Sequence, residues 1–332
     1  MDADELSEVL DLIEVRSMPS GGFAARAPWV AGTDIEDSLK FVAIVSGRAR
    51  LSADGIDHPV VLESGDVAIL NDRSWVRLDD GSDAVQRREV EPEQDFSSPR
   101  LRHADRSTDD VVVGGRIDLS PAGRLLLHHA LPPVAHVKGT KTSIIRESLD
   151  RLFAEVTSNR MGSGFAVRQY SQLILLEVLR AYVEQTDVPP GWLRVLTDET
   201  LRPALRLLHA GPGTPCGLQE LASATAMSRT SFAERFRAVA GVPPLAYRTR
   251  WRMLQAQRAL RDDDTRIGVL AASLGYSSEA AFSTAFKREV GESPIRYRRR
   301  LRPEASPSAT TRASRAPTAP SSRKIHSTQC VG

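Results

Sequence analysis

Cysteine is almost missing from this chain: Cys216 and Cys330 are its only two in 332 residues. Two thiols so far apart, with no histidine pattern beside them, exclude a disulfide framework and a cysteine zinc site. Aromatic residues are also scarce, at 5%, so any that recur at fixed spacing carry information. There is no uninterrupted apolar run of about 18 residues, which excludes a hydropathy-defined membrane helix, and no membrane partner is expected. The opening residues MDADELSEVL are acidic where a secretory signal is basic and then apolar, so the expected location is the cytoplasm. Glycine-rich phosphate loops and nucleophile elbows are missing too. Of the seven histidines only His128, His129 and His136 cluster, without the i, i+4 spacing and carboxylate of a metal hydrolase. Neither catalysis nor a cofactor is expected.

What is present suffices for two globular domains: 41% of the residues are hydrophobic. The net charge of +2 hides an asymmetry. Residues 187–302 hold 19 Lys and Arg against 11 Asp and Glu, and residues 303–332 hold four bases and one acid, which leaves −9 on the first 186 residues. An acidic front half and a basic back half point the back half at a polyanion.

The front half, about Phe23 to Leu78, reads as short strands broken by turns: LKFVAIVSG, RARLSADGID, HPVVLESGD, VAILND and WVRLDDG. Such runs predict an antiparallel barrel or sandwich. Leu6 to Val15 reads as a short amphipathic helix. Within 143–184 the period changes: Ile145, Leu149, Leu152, Phe153 and Val156, then Tyr170, Leu173, Leu176 and Leu179, mark two helices. Their apolar faces serve either intradomain packing or a dimer seam. TDVPPGW, Thr186 to Trp192, reads as a linker. The expected organisation is α+β: a sensory or dimerisation domain over 1–186, an all-α domain over 187–302, and a Pro- and Ser-rich tail over 303–332 expected to be disordered.

An internal repeat carries the functional reading. Met227 to Pro244, MSRTSFAERFRAVAGVPP, and Gly275 to Pro294, GYSSEAAFSTAFKREVGESP, share landmarks at an offset of 50: Phe232, Phe236, Gly241, Pro244, Tyr247 and Arg248 become Phe282, Phe286, Gly291, Pro294, Tyr297 and Arg298. Upstream, Leu221-Ala222 matches Leu270-Ala271 at 49, so the second turn is one residue longer. Each copy reads as a short helix, a turn and a serine-capped helix, Ser228 capping the first and Ser277 or Ser278 the second. This is the pattern of a helix-turn-helix whose second helix enters the DNA major groove. At about 100° per residue, Phe232, Phe236 and Val239 form the inner face of one helix, and Phe282, Phe286 and Val290 that of the other. The outer faces hold the expected base readers, Arg229, Thr230, Ala233 and Glu234 in the first copy and Glu279, Ala280, Ser283 and Thr284 in the second. Hydroxyls bond base edges or meet a thymine methyl, alanine makes apolar contact, and glutamate accepts from cytosine N4. Arg237, Arg248, Lys287, Arg288 and Arg298 are the expected phosphate contacts. A continuous helix from about Pro244 to Leu260, packed through Trp251, Leu254 and Leu260, would hold the two readers about one DNA turn, near 34 Å, apart.

GYSSEAAFSTAFKREVGESPIRYRRR resembles the signature of the AraC/XylS family of bacterial transcriptional regulators, and about Leu201 to Leu301 resembles that family's paired helix-turn-helix domain. The front half resembles the cupin-like ligand-binding domain of one branch, through LSEVLDLIEVRSMPSGGF, LKFVAIVSGRARL, LESGDVAIL and ALPPV. The resemblance implies duplex DNA as partner, with a small-molecule effector and a homodimer arranged by the front domain. Activator and repressor modes stay open, with RNA polymerase a partner in the first. Where many cupin-like domains place a histidine after the Gly-Asp strand, this chain has NDRSWV, Asn71 to Val76, so a metal site does not carry over. Trp29, Phe41 and Trp75 are the candidates for lining a sensing pocket, with core packing as their other reading. The alternative function is a cupin-type metalloenzyme fused to a DNA-binding module.

Overall fold

Side-chain alternation along a few strands decides the front half. The computed structural model describes residues 5–13, 16–93, 99–140, 144–158, 160–185, 188–211, 213–214 and 216–301. The 303–332 tail, Cys330 and Thr186-Asp187 of the expected linker lie outside them. Among the described residues ten strands run in chain order: β1 (Arg16–Ala25), β2 (Trp29–Asp34), β3 (Leu39–Ser46), β4 (Arg48–Ala53), β5 (Val60–Glu63), β6 (Val67–Asn71), β7 (Trp75–Asp79), β8 (Arg88–Glu89), β9 (Asp110–Asp118) and β10 (Val134–Val137). They form two five-stranded sheets, β1-β9-β3-β6-β10 and β5-β4-β7-β2-β8. Every pairing is antiparallel except that of β2 with β8. The expected strands are there, but the first sheet extends beyond Phe23 to Leu78, because β9 pairs with β3, β1 with β9, and β10 with β6.

Strand β3 is buried on both faces. Val42 and Ile44 point between the two sheets, with Trp29, Leu51, Leu62 and Leu78. Leu39, Phe41, Ala43 and Val45 point the other way, into a layer shared with helices. A period of two thus splits one strand between two cores.

The helices of the front half are α1 (Glu5–Ile13), α2 (Pro99–Arg102), α3 (Pro121–Ala130), α4 (Ile144–Ser158) and α5 (Ser163–Gln185). Helix α4 buries Ile145, Leu149, Leu152 and Phe153 as its periodicity requires. Helix α5 departs from expectation. It buries Ser171, Ile174, Leu175, Val178, Leu179 and Tyr182, an i, i+3, i+4 series that shares only Leu179 with the expected Tyr170, Leu173, Leu176, Leu179 stripe, and Leu173 is exposed.

The back half holds α6 (Trp192–Thr197), α7 (Arg202–His209), α8 (Leu218–Ala224), α9 (Arg229–Ala240), α10 (Pro244–Asp262), α11 (Ile267–Ser273), α12 (Glu279–Val290) and α13 (Pro294–Leu301). The helix-side core of the front half continues into α6 to α9 and the start of α10, through Trp192, Leu205, Leu221, Phe232, Phe236 and Trp251. A separate core binds α11, α12 and α13 to the rest of α10 through Met253, Ala256, Leu260, Phe282, Phe286 and Tyr297. Helix α10 therefore serves two masters. Tyr247, Trp251 and Leu254 fall on one side of it and Met253, Ala256 and Leu260 roughly on the opposite side, at about 100° per residue.

The segment read as a linker is docked at its described end. Gly191 N–H donates to Val239 O at 2.9 Å, and Trp192 Nε1 donates to Leu126 O at 2.9 Å. One end of the connection is thus fastened by adjacent residues to the helix that ends at Ala240 and to α3.

Candidate nucleic-acid interface

The two copies fold alike, and the shared geometry explains the shared residues. Ser228 Oγ caps α9 by accepting from Ser231 N–H at 3.2 Å, and Ser278 Oγ caps α12 by accepting from Ala281 N–H at 3.1 Å. Gly241 and Gly291 close the same helices in the left-handed region, at φ 71° and 92°, with N–H bonds to Arg237 O and Lys287 O of 2.9 Å each. Pro244 and Pro294 then start the next helices. The aromatic triads match as well. Phe232–Phe236 and Phe236–Tyr247 ring centroids lie 5.6 and 5.5 Å apart, and Phe282–Phe286 and Phe286–Tyr297 lie 5.7 and 5.5 Å apart. All six rings are buried, and so are Ala222 and Ala271 in the preceding helices, where a small side chain allows a close crossing.

One position differs between the turns. Gly275 takes the left-handed conformation in the second copy, at φ 77°, but Ala226 takes it in the first, at φ 54°. An L-residue there carries strain of about 1 to 2 kcal/mol, partly offset by the lower entropy of the unfolded alanine chain. Ala226→Gly is expected to stabilise the protein by about 0.5 to 1 kcal/mol, read as a rise in Tm. A fall in Tm would contradict the strain.

With the phenylalanines inward, the opposite faces of α9 and α12 meet solvent. Arg229, Thr230 and Glu234 are exposed and Ala233 half-buried; Glu279, Ala280 and Thr284 are exposed and Ser283 half-buried. Glu279, in the first turn of α12, sits at the positive end of the helix dipole. Arg237 and Lys287 are exposed in matching last turns. Arg288, also exposed, pairs with Glu289 at 3.0 Å.

Two of the expected phosphate contacts have other work. Arg248 Nη1 donates to the backbone carbonyl of Cys216, just before α8, and Arg298 Nη2 donates to that of Thr265, just before α11. Both guanidiniums are half-buried. Each ties the helix after α9 or α12 to the segment before its unit, satisfying a carbonyl that has no helical partner. Their common register reflects a shared structural role: the guanidiniums expected at phosphate are each engaged with a backbone carbonyl. Arg299, one residue on and outside the repeat's shared landmarks, is exposed on α13. Cys216 itself is buried, and burial pushes its thiol pKa up.

The three expected pocket residues do not converge. Trp29 is wholly buried between the sheets, edge-on to Phe23, with Nε1 donating to Asp110 Oδ2 at 2.7 Å. Phe41 lies on the other side of its sheet, near Ile174 and Val178 of α5. Trp75 is 40% exposed. Two of the three are core residues from different sheets, Trp29 of β2 in the core between the sheets and Phe41 of β3 in the core shared with the helices. The histidines also take local partners: His136 Nε2 lies 2.9 Å from Asp66 Oδ2, and His128 Nδ1 lies 3.1 Å from Asn71 Oδ1. Among the described residues no three His, Cys, Asp or Glu side chains group closely enough to hold a metal ion. No helix among them is long and apolar enough to cross a membrane.

Comparison with known proteins agrees with this architecture. Residues 4–184 match a family described as Cupin, and residues 221–300 match one described as Helix-turn-helix domain. A putative AraC-like transcription regulator of Streptomyces antibioticus is 34% identical over 90% of this chain and 100% of its own length. The chain belongs to the AraC-like transcription regulators. Another AraC-like regulator, from Streptomyces lividans, is 33% identical over 89% of this chain and 98% of its own, and the regulator AlkR of Acinetobacter baylyi is 27% identical over 89% and 99%. Among solved structures, the DNA-binding domain of AdpA in complex with a target DNA aligns at 34% identity, over 32% of this chain and 93% of that one, with a TM-score of 0.29. The chain is thus an AraC-type DNA-binding transcriptional regulator, with a cupin domain ahead of its paired helix-turn-helix units.

Proposed function

We propose that α9 and α12 enter successive major-groove segments on one face of duplex DNA. The observation that carries this reading is the duplication itself: two units with the same caps and aromatic triads, sharing one 19-residue helix of about 28 Å. Arg229, Thr230, Ala233 and Glu234, and then Glu279, Ala280, Ser283 and Thr284, read base edges. Arg237 and Lys287 hold phosphate, with Arg288 beside them once its pair with Glu289 opens. The domain division is 1–186, 187–302 and the 303–332 tail. The protein acts in the cytoplasm as a homodimer whose activity answers to a small-molecule effector, with RNA polymerase as partner where it activates. Exposed Phe165 and Leu173 on α5 support the dimer, because apolar side chains on one solvent-facing helix suit a self-association surface.

Base readers and phosphate contacts separate in one experiment with the full chain. Thr284→Ala is expected to relax preference at one or two base pairs, at about 1 to 3 kcal/mol. Arg237→Ala is expected to weaken binding to all sequences alike and reduce the salt slope by about 1. Selected-site profiles for both variants, measured at several salt concentrations, check this. An unchanged profile for Thr284→Ala would remove that residue from the groove.

A further inference from the structure

Helix α9 has an attachment that α12 lacks. Arg235 donates from Nη2 to both carboxylate oxygens of Asp198, at 3.2 and 3.0 Å, and to Thr200 Oγ1 at 3.2 Å. The repeat offset of 50 places Ala285 at the same point of α12, where it is buried in the core of the second unit. A guanidinium thus stands in one copy where a methyl group stands in the other. At about 100° per residue, Arg235 lies about 120° round α9 from the face of Thr230, Glu234 and Arg237, clear of the side proposed to meet DNA.

The acid is fixed in place before Arg235 reaches it. Asp198 is the C-cap residue of α6, its side chain is 12% exposed, and its Oδ1 accepts from Thr200 N–H at 2.9 Å and Leu201 N–H at 3.1 Å. Little further side-chain freedom is lost on the acid side when the pair forms, which removes one of the usual costs of a partly exposed ion pair. At the other end of α6, Gly191 N–H bonds Val239 O at 2.9 Å. Arg235 and Val239 are four residues apart, on one edge of α9. The six residues of α6 are therefore fastened at both ends to a single edge of the helix, and Leu193 and Val195 share a core with Phe236.

We propose that Arg235 is a positioning residue for the first reader: it touches no DNA, and it fixes the rotation of α9 that decides which base pairs Thr230 and Glu234 reach. A helix packed on two phenylalanines can roll about its own axis, and a tie on its edge stops the roll. The second reader is held differently, with Ala285 packed directly into the core that α12 shares with α10, α11 and α13. This role of Arg235 rests on α9 being a base reader. When the tie is cut, the DNA-competent rotation becomes only a fraction of the population, and apparent affinity falls by that fraction.

The test uses the full chain, with sequences selected from random duplex DNA and affinity for the selected site measured at several salt concentrations. Arg235→Met keeps the aliphatic stem and loses the donors. It is expected to weaken binding about fivefold, with preference lost only in the motif read by α9. The salt slope should stay unchanged, whereas loss of a phosphate contact lowers it by about 1. Arg235→Lys, which keeps the charge, should recover most of the preference. Asp198→Asn cuts the same tie from the other side while its amide oxygen still accepts from Thr200 and Leu201, so the same motif should suffer, and the test stays decisive if Arg235→Met does not fold. Equal loss of preference in both motifs, a salt slope lowered by about 1, or an unchanged profile overturns the proposal. Glu234→Ala, run in parallel, separates the two assignments. An unchanged first motif there removes α9 from the groove and the positioning role with it, whereas a changed first motif beside an unchanged Arg235→Met profile rejects the positioning role alone.

Discussion

Phe282→Ala is expected to destabilise the second helix-turn-helix unit by about 3 to 5 kcal/mol, the usual cost of emptying a fully buried phenylalanine site. Phe282 has no exposed surface and packs between Tyr276 and Phe286, 5.5 and 5.7 Å away by ring centroid. Its core is confined to α10 through α13 and stands apart from the large core that joins the front domain to the first unit. The damage is therefore expected to stay local. Hydrogen exchange should accelerate in α11, α12 and α13 while β3, β6 and α9 keep their protection. Phe232→Ala, equally buried, opens the continuous core and should lower protection on both sides of the junction. An unaltered melting curve for Phe282→Ala would contradict the core assignment, and equal loss of protection everywhere would contradict the separation of the two cores.

Acid should weaken the junction next. His209 has a side chain 3% exposed, stacked on Trp251, with Nε2 3.2 Å from the Tyr247 hydroxyl. Burial lowers its pKa from 6.5 to about 4, outweighing the opposing pull of Glu5. Glu8 Oε2 lies 3.4 Å from Nδ1 without making a hydrogen bond to it. In the unfolded chain the imidazole titrates near its ordinary value, so between 6.5 and about 4 the unfolded state binds more protons. Stability is then full above pH 6.5, falls progressively toward pH 4, and loses nothing further from this group below that. The total loss is about 3 kcal/mol. His209→Gln, which keeps a polar partner for Tyr247 but does not titrate, should flatten this part of the profile at some fixed cost. Denaturation midpoints across the range check it, and an identical slope in the variant would assign the acid sensitivity to other groups.

How far the sequence foretold this molecule depends on the kind of signal. Caps and breakers worked because they act locally: Ser228, Ser278, Gly241 and Gly291 fix helix ends whatever surrounds them. The phenylalanine faces worked because the opposite faces are polar, leaving one rotation possible. Helix α5 offers no such contrast. Leu173, Ile174, Leu175 and Leu176 run together, so the apolar pattern fits more than one rotation, and only packing on the sheet selects Ile174, Leu175 and Val178. Strands β1 and β9 give a weak signal because RSMPSGGFAA and VVVGGRID carry glycines and a proline that lower strand propensity. Phe41 shows a different limit: when both faces of a strand are buried, hydrophobicity cannot say which core a side chain joins. Arg248 and Arg298 show a third. Repetition marked them as necessary, and a basic residue in a basic domain suggested DNA, but two backbone carbonyls claimed them.

That one chain carries two matched DNA readers on one shared helix is tested most directly by selecting bound sequences from random duplex DNA with the full-length protein. An enriched site with two motifs about one helical turn, or about 10 base pairs, apart is expected, the more distal of them degraded by Thr284→Ala alone. A single short motif, or two motifs at freely variable spacing, would contradict it.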